Sequence, residues 1–90
     1  MYKKLERTKA YLKDIRKLSF SDNHYARYAV YLGKLLSNET LPPEALDHPL
    51  KGDYTGFREF HVSGDLLVIY YATDTKLVLV RIGSHSQLFD

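Results

Sequence analysis

The chain has 90 residues, enough for one small domain that buries about 60–65% of its unfolded surface and too few for two. Its longest unbroken apolar run, Leu66 to Ala72, has seven residues, far short of the roughly 18–20 a membrane-crossing helix needs, and the lack of cysteine excludes disulfides, thiolate zinc sites and cysteine nucleophiles. The net charge of +2 hides an asymmetry: residues 1–18 carry seven Lys/Arg against two acids, the remainder six against nine.

In chain order, a short edge strand is expected at Tyr2 to Glu6. The charges at Lys3, Lys4, Glu6, Arg7 and Lys9 interrupt this stretch too often for a signal-peptide core, so a cytoplasmic location is expected, with no membrane association. Thr8 is placed to cap a helix running to about Leu18, with Tyr11, Leu12, Ile15 and Leu18 on one face and Lys9, Lys13, Arg16 and Lys17 on the other. That basic face suits a polyanion or an acidic protein partner, or is simply solvated. A second helix begins after Ser21 or Asp22. Its residues Tyr25, Tyr28, Ala29, Leu32, Leu35 and Leu36 recur at helical spacing and are expected in the core. Pro42 and Pro43 end the helical half.

From Phe57 onward the sequence turns to strands, Phe57 to Val62, Asp65 to Thr73 and Lys76 to Gly83, joined by two-residue turns at Ser63-Gly64 and Asp74-Thr75. Together these predict an α+β fold: two N-terminal helices packed on one face of a small, mainly antiparallel sheet, made of a short edge strand plus a three-stranded meander. With two-residue loops, His61 opposes Leu66, Glu59 opposes Val68, and Val68 opposes Arg81. Alternation then puts Glu59, His61 and Arg81 on one open face with Tyr70, Leu77 and Leu79. Phe60, Val62, Leu67, Ile69, Tyr71, Val78, Val80 and Ile82 face the helices. His85 and Asp65 fall at the same sheet end as His61 and Arg81.

Metal-free cleavage of RNA needs a base for the 2′-hydroxyl proton, an acid for the departing 5′-oxygen and a cation for the phosphorane charge. His61, His85 and Arg81 are residues of those types, with Glu59 and Asp65 able to orient the rings or act as base. Three other readings fit the same residues. The histidines are ordinary surface residues, or His48, His61, Asp65 and His85 form a metal site although no local ligand spacing announces one. In the third, the face only binds RNA or protein, with Arg81 gripping phosphate and Phe89 or Tyr70 stacking on bases.

Three stretches carry a resemblance: Asp47-His48-Pro49-Leu50-Lys51-Gly52, then Gly56-Phe57-Arg58-Glu59-Phe60-His61-Val62 with Asp65, and Arg81-Ile82-Gly83-Ser84-His85-Ser86-Gln87-Leu88-Phe89. The chain resembles YafQ-type toxins of the RelE superfamily, closely over residues 41–89 and in layout over the helical half. The resemblance implies one RelE-like toxin domain over 1–90, the toxin of a type II toxin–antitoxin pair. It implies a ribosome-dependent endoribonuclease cutting translated mRNA, with no metal or organic cofactor. His48, His61, Asp65 and His85 match the family's functional histidines and one aspartate. Arg81 matches its late-strand arginine and Phe89 its terminal aromatic, while Glu59 stands where the family has an aspartate. The basic helix, through Lys9, Lys13 and Lys17, is then expected to grip rRNA phosphates. A cognate antitoxin segment would cover that surface or the histidine cleft, folding as it binds. Pro49 biases His48 toward an extended conformation in a loop that reaches the open face.

Overall fold

A computed structural model describes residues 2–89. Strand β1 spans Lys4–Arg7 and leads directly into helix α1, Lys9–Lys17. Thr8 holds extended backbone and its Oγ1 accepts the Tyr11 amide at 3.0 Å, satisfying one of the donors that a helix start leaves unpaired. Ser21 does the same for α2, Asp22–Leu36, accepting from the His24 amide at 3.1 Å. Both caps sit where the sequence predicts. Beyond Pro42 the chain makes a 3-10 turn at Pro43–Ala45, the two-residue strand β2 at His48–Pro49, and a second 3-10 turn at Gly52–Tyr54. Strands β3 (Arg58–Ser63), β4 (Leu66–Ala72) and β5 (Lys76–Ser84) follow, and helix α3 (His85–Phe89) closes the described chain. Helix α3 was not anticipated. It starts with a reciprocal cap: the Gln87 amide donates to Ser84 Oγ at 3.2 Å, and the Ser84 amide to Gln87 Oε1 at 2.8 Å.

The five strands form one sheet in the order β1-β5-β4-β3-β2. Strand β1 runs parallel to β5, and the other neighbours are antiparallel. The register differs from the expected one in two places. The first hairpin turns at Gly64-Asp65, so Ser63 faces Leu66, and a shift between His61 and Ser63 sets His61 opposite Leu67 and Glu59 opposite Ile69. Gly64 has φ 43°, a left-handed conformation that favours glycine at a tight hairpin turn. One residue of slip inverts the faces of β4, so Tyr70 lies toward the helices, and Leu67 and Ile69 lie on the face of Glu59 and His61. The second difference is in β5, where Tyr70 pairs with Leu79 but Ile69 pairs with Arg81, leaving Val80 as an extra residue. This bulge reverses the alternation within β5. Leu77 and Leu79 point at the helices, contrary to expectation, and so does Ile82, while Arg81 emerges on the Glu59 face.

The helix side of the sheet holds the larger core, with Phe60, Val62, Val68, Tyr70, Leu77, Leu79 and Ile82 packed against Tyr11 and Tyr31. Burying each large side chain contributes about 1.5–3 kcal/mol. Tyr11 and Tyr28 bring their hydroxyls to 2.5 Å; burial pushes both phenols above their usual range, for Tyr11 reinforced by that bond. On α2 the inward residue is Tyr31, whereas Tyr25 is 60% exposed and Ala29 also faces water, so the expected stripe is rotated toward Tyr28, Tyr31 and Leu35. The opposite face is not open throughout: Leu50, Tyr54, Phe57 and Leu88 cover Leu67, Ile69 and Val80 in a second, smaller core. Among the described residues no helix is long and apolar enough to cross a membrane.

Candidate active site

Strand β2 pairs with β3 so that His48 lies opposite Glu59, and His61 is two residues along β3 on the same face. The three side chains meet. Glu59 Oε1 lies 3.2 Å from His48 Nε2 and 3.3 Å from His61 Nε2, and the two imidazoles stand 6.3 Å apart centre to centre. Glu59 is 5% exposed, and its second oxygen, Oε2, is buried without a hydrogen-bond partner. His61 is mostly buried and His48 about half exposed. His48 Nδ1 is 2.6 Å from the Leu46 carbonyl. A carbonyl only accepts, so Nδ1 carries a proton, and the contact between Nε2 and Glu59 then requires a further shared proton.

The loop carrying His48 is fastened by its neighbour. Asp47 Oδ1 accepts from the Tyr70 hydroxyl at 2.7 Å and from Arg58 Nε at 3.0 Å. Burial, the Asp47 bond and the Asp47 charge together raise the Tyr70 phenol well above its ordinary range, so it remains a donor. Sequence reasoning gives Asp47 no role of its own, and offers Tyr70 only as a stacking surface for bases rather than as the donor that fastens this loop. The only signal was Asp47's place immediately before His48.

Arg81 lies two strands from Glu59 on the row Glu59, Ile69, Arg81, about 10 Å away along the backbone at a ~4.8 Å strand spacing. It does not contact the Glu59 cluster. Asp14 of α1 accepts from Arg81 Nε at 2.6 Å and Nη2 at 3.0 Å, and Asp14 Oδ2 also takes the Ile82 amide at 3.1 Å. Burial opposes ionisation of Asp14, but the Arg81 and Ile82 bonds outweigh it and hold the carboxyl below its usual range; the same bond to Asp14 raises Arg81. Thr8 ties the strand nearby, its amide donating to the Leu79 carbonyl and its hydroxyl to that of Val80. A cavity of about 230 Å³ opens beside this pair, lined by Asp14, Lys17, Leu18, Arg81, Ile82 and Gln87.

Asp65 and His85 form a third group. The His85 amide donates to Asp65 Oδ1 at 3.0 Å, and the His85 ring lies 4.8 Å from that of Phe89, on the same short helix. The residues expected to converge, His61, Asp65, Arg81 and His85, lie on one side of the sheet in three contact groups that do not touch directly: His48 with Glu59 and His61, Asp14 with Arg81, and Asp65 with His85 and Phe89. Lys9, Lys13, Arg16 and Lys17 are all exposed on α1. Among the described residues no group of three or more His, Asp or Glu is disposed to hold a metal ion. His48 and His61 aim Nε2 at one carboxylate oxygen, not at a common vacant point, so the four-ligand site considered from sequence does not form.

Residues 3–90 match the family of bacterial toxins of type II toxin–antitoxin systems, YafQ. The mRNA interferase toxin YafQ of Escherichia coli K12 is 40% identical over 87 residues, 94% of each chain. Among solved structures, the H87Q mutant of E. coli YafQ superposes with a TM-score of 0.85 at 31% identity, covering 98% of this chain and 99% of that one. The E. coli DinJ–YafQ toxin–antitoxin complex gives 0.80 at 30%, covering 100% of both. A metal-bound toxin from Helicobacter pylori gives 0.83 at 37%, with 99% and 100% covered. With its α+β fold, its sequence and its solved relatives in agreement, the chain belongs to the YafQ family of type II toxins.

Proposed function

We propose that this protein is an endoribonuclease that cuts translated mRNA on the ribosome by general acid–base catalysis without a metal ion, acts as one domain in the cytoplasm, and is neutralised by a cognate antitoxin protein. The observation that carries the reading is the buried Glu59 carboxylate, which meets two imidazole nitrogens through one oxygen. A carboxylate accepting from His61 Nε2–H leaves Nδ1 with its lone pair, the form a general base needs. That nitrogen takes the 2′-hydroxyl proton as the 2′-oxygen attacks the adjacent phosphorus. The bond from phosphorus to the 5′-oxygen then breaks, His85 protonates the departing oxygen, and a 2′,3′-cyclic phosphate remains. His48 donates Nδ1–H to the Leu46 carbonyl, which holds its Nε2 beside Glu59, and Asp65 fixes the turn that presents His85. Arg81 holds the phosphorane oxygens, and Phe89 stacks against a base. Lys9, Lys13 and Lys17 contact rRNA phosphates.

The E. coli relative is solved together with DinJ, which supports an antitoxin partner of the same kind here. The test is cleavage of mRNA in programmed ribosome complexes by toxin stripped of metal, the ribosomes keeping their own magnesium. Cleavage at the untreated rate is expected. Activity restored only by transition metal added to the toxin would overturn the mechanism, and ribosome binding with intact mRNA would favour a binding module.

A further inference from the structure

Arg81 reaches the active face only because of the bulge at Val80, and a bulged strand does not by itself fix a long side chain. What fixes it is Asp14. The carboxylate engages Arg81 along the edge formed by Nε and Nη2 while Oδ2 also binds the Ile82 amide, so one acid locks both the guanidinium and the strand that carries it. Of the five guanidinium N–H donors, Asp14 uses two. The three that remain, both on Nη1 and one on Nη2, lie on the edge that matches two phosphate oxygens, with the Tyr54 hydroxyl as a further acceptor beside the guanidinium. Asp14 is the one acid in an otherwise basic helix, and neither the family resemblance nor the proposed reaction assigns it a role.

We infer that Asp14 is a positioning residue for RNA cleavage, holding Arg81 so that its Nη1/Nη2 edge faces the reacting phosphate before substrate arrives. The inference rests on the reading of Arg81 as the phosphate-binding cation. Removing Asp14 leaves the chain its arginine but returns rotamer freedom to it, a loss on the order of 10–30-fold in cleavage rate. A carboxylate that merely neutralised Arg81 would have the opposite effect, since its removal would strengthen the grip on phosphate.

Single-turnover cleavage in saturating programmed ribosomes, measured for Asp14→Ala, Arg81→Ala and the double variant, separates these cases. Arg81→Ala is expected to be slow, Asp14→Ala slower than wild type by about 10–30-fold, and the double variant no slower than Arg81→Ala alone. Asp14→Asn, which keeps an acceptor for the Ile82 amide, carries the same comparison if Asp14→Ala fails to fold. Millimolar guanidinium should restore Arg81→Ala partly and the double variant not at all, a dependence that a purely structural role for Asp14 would not produce. If Arg81→Ala is slow while Asp14→Ala or Asp14→Asn cleaves at the wild-type rate or faster, the positioning role is refuted and Arg81 keeps its own. A double variant slowed by the product of the single effects refutes it too. Arg81→Ala at the wild-type rate would overturn the reading of Arg81 and this inference with it.

Discussion

Glu59→Gln separates what the carboxylate does for the reaction from what it costs the fold. The side chain is buried, its Oε1 serves two imidazoles at 3.2 and 3.3 Å, and its Oε2 has no partner. A buried acceptor left unsatisfied costs about 1–3 kcal/mol. The contacts that offset it are longer than the 2.7–2.9 Å of strong charge-assisted bonds, and half of His48 is in water, so each is worth about 1 kcal/mol at most. The His48 contact also needs a proton on Nε2. The Leu46 carbonyl holds the His48 proton on Nδ1, so once that ring is neutral its Nε2 lone pair faces a carboxylate. An amide at position 59 instead donates N–H to the lone pair. At pH 8 the variant should therefore be more stable than wild type by about 1 kcal/mol, a rise of about 4–8 °C in melting temperature for a chain of this size. Cleavage should fall about 10²–10³-fold, within the range of a disabled acid–base group. Thermal melts at pH 8 beside single-turnover cleavage read the two effects. A variant less stable than wild type at pH 8, or one that cleaves normally, would refute the reasoning.

His61→Ala and His85→Ala should each slow cleavage by about 10²–10⁴-fold with melting temperatures near wild type, as primer extension on ribosome complexes and calorimetry would record. Reversal of Lys9, Lys13 and Lys17 to glutamate should weaken ribosome co-sedimentation and flatten its salt dependence, leaving turnover on bound complexes unchanged. Tyr70→Phe removes the donor to Asp47 Oδ1 and should cost about 1 kcal/mol of stability, read as a melting temperature lower by about 4–8 °C, together with a slower reaction as the His48 loop loosens. Asp14 titrates below its ordinary value of 3.8 in the fold, so its contribution is present above the unfolded carboxyl range and lost as pH falls through the lower, folded value. Wild type should be more stable than Asp14→Asn at pH 7 and lose that margin below about pH 4, which acid titration followed by circular dichroism would show.

Helices α1 and α2, their two caps and the three long strands are legible because each is encoded locally, by Thr8 and Ser21 before apolar periodicity and by β-rich runs between turn residues. The pairing of Glu59 with His61 on one face is equally local, since residues two apart on a strand share a side. Register is not local. The turn at Gly64-Asp65 instead of Ser63-Gly64 and the extra residue at Val80 depend on how three strands fit together. These two shifts offset each other at Arg81, which reaches the expected face beside unexpected neighbours. Helix α3 is legible in the Ser84-His85-Ser86-Gln87 capping pattern, although the expected last strand ends at Gly83 and no element is expected beyond it. Asp14 gives no signal in the sequence, because nothing in α1 indicates which strand runs beside it.

The pairing of Thr8 and Asp14 with β5 also bears on how the molecule avoids sticking to itself. Past Leu79, β5 has no neighbouring strand in β1, and a bare strand margin is a template on which another chain can build. Here the Val80 carbonyl is taken by the Thr8 hydroxyl and the Ile82 amide by Asp14, so side chains from the cap and the body of α1 satisfy groups that a foreign strand would otherwise bind. At the far margin, β2 has only two residues, one of them Pro49, which has no amide hydrogen to offer. A second copy or an extended peptide can lengthen the sheet at β5 only by displacing α1, so strand-on-strand assembly is blocked there by the threonine that caps the helix and the aspartate that holds the arginine.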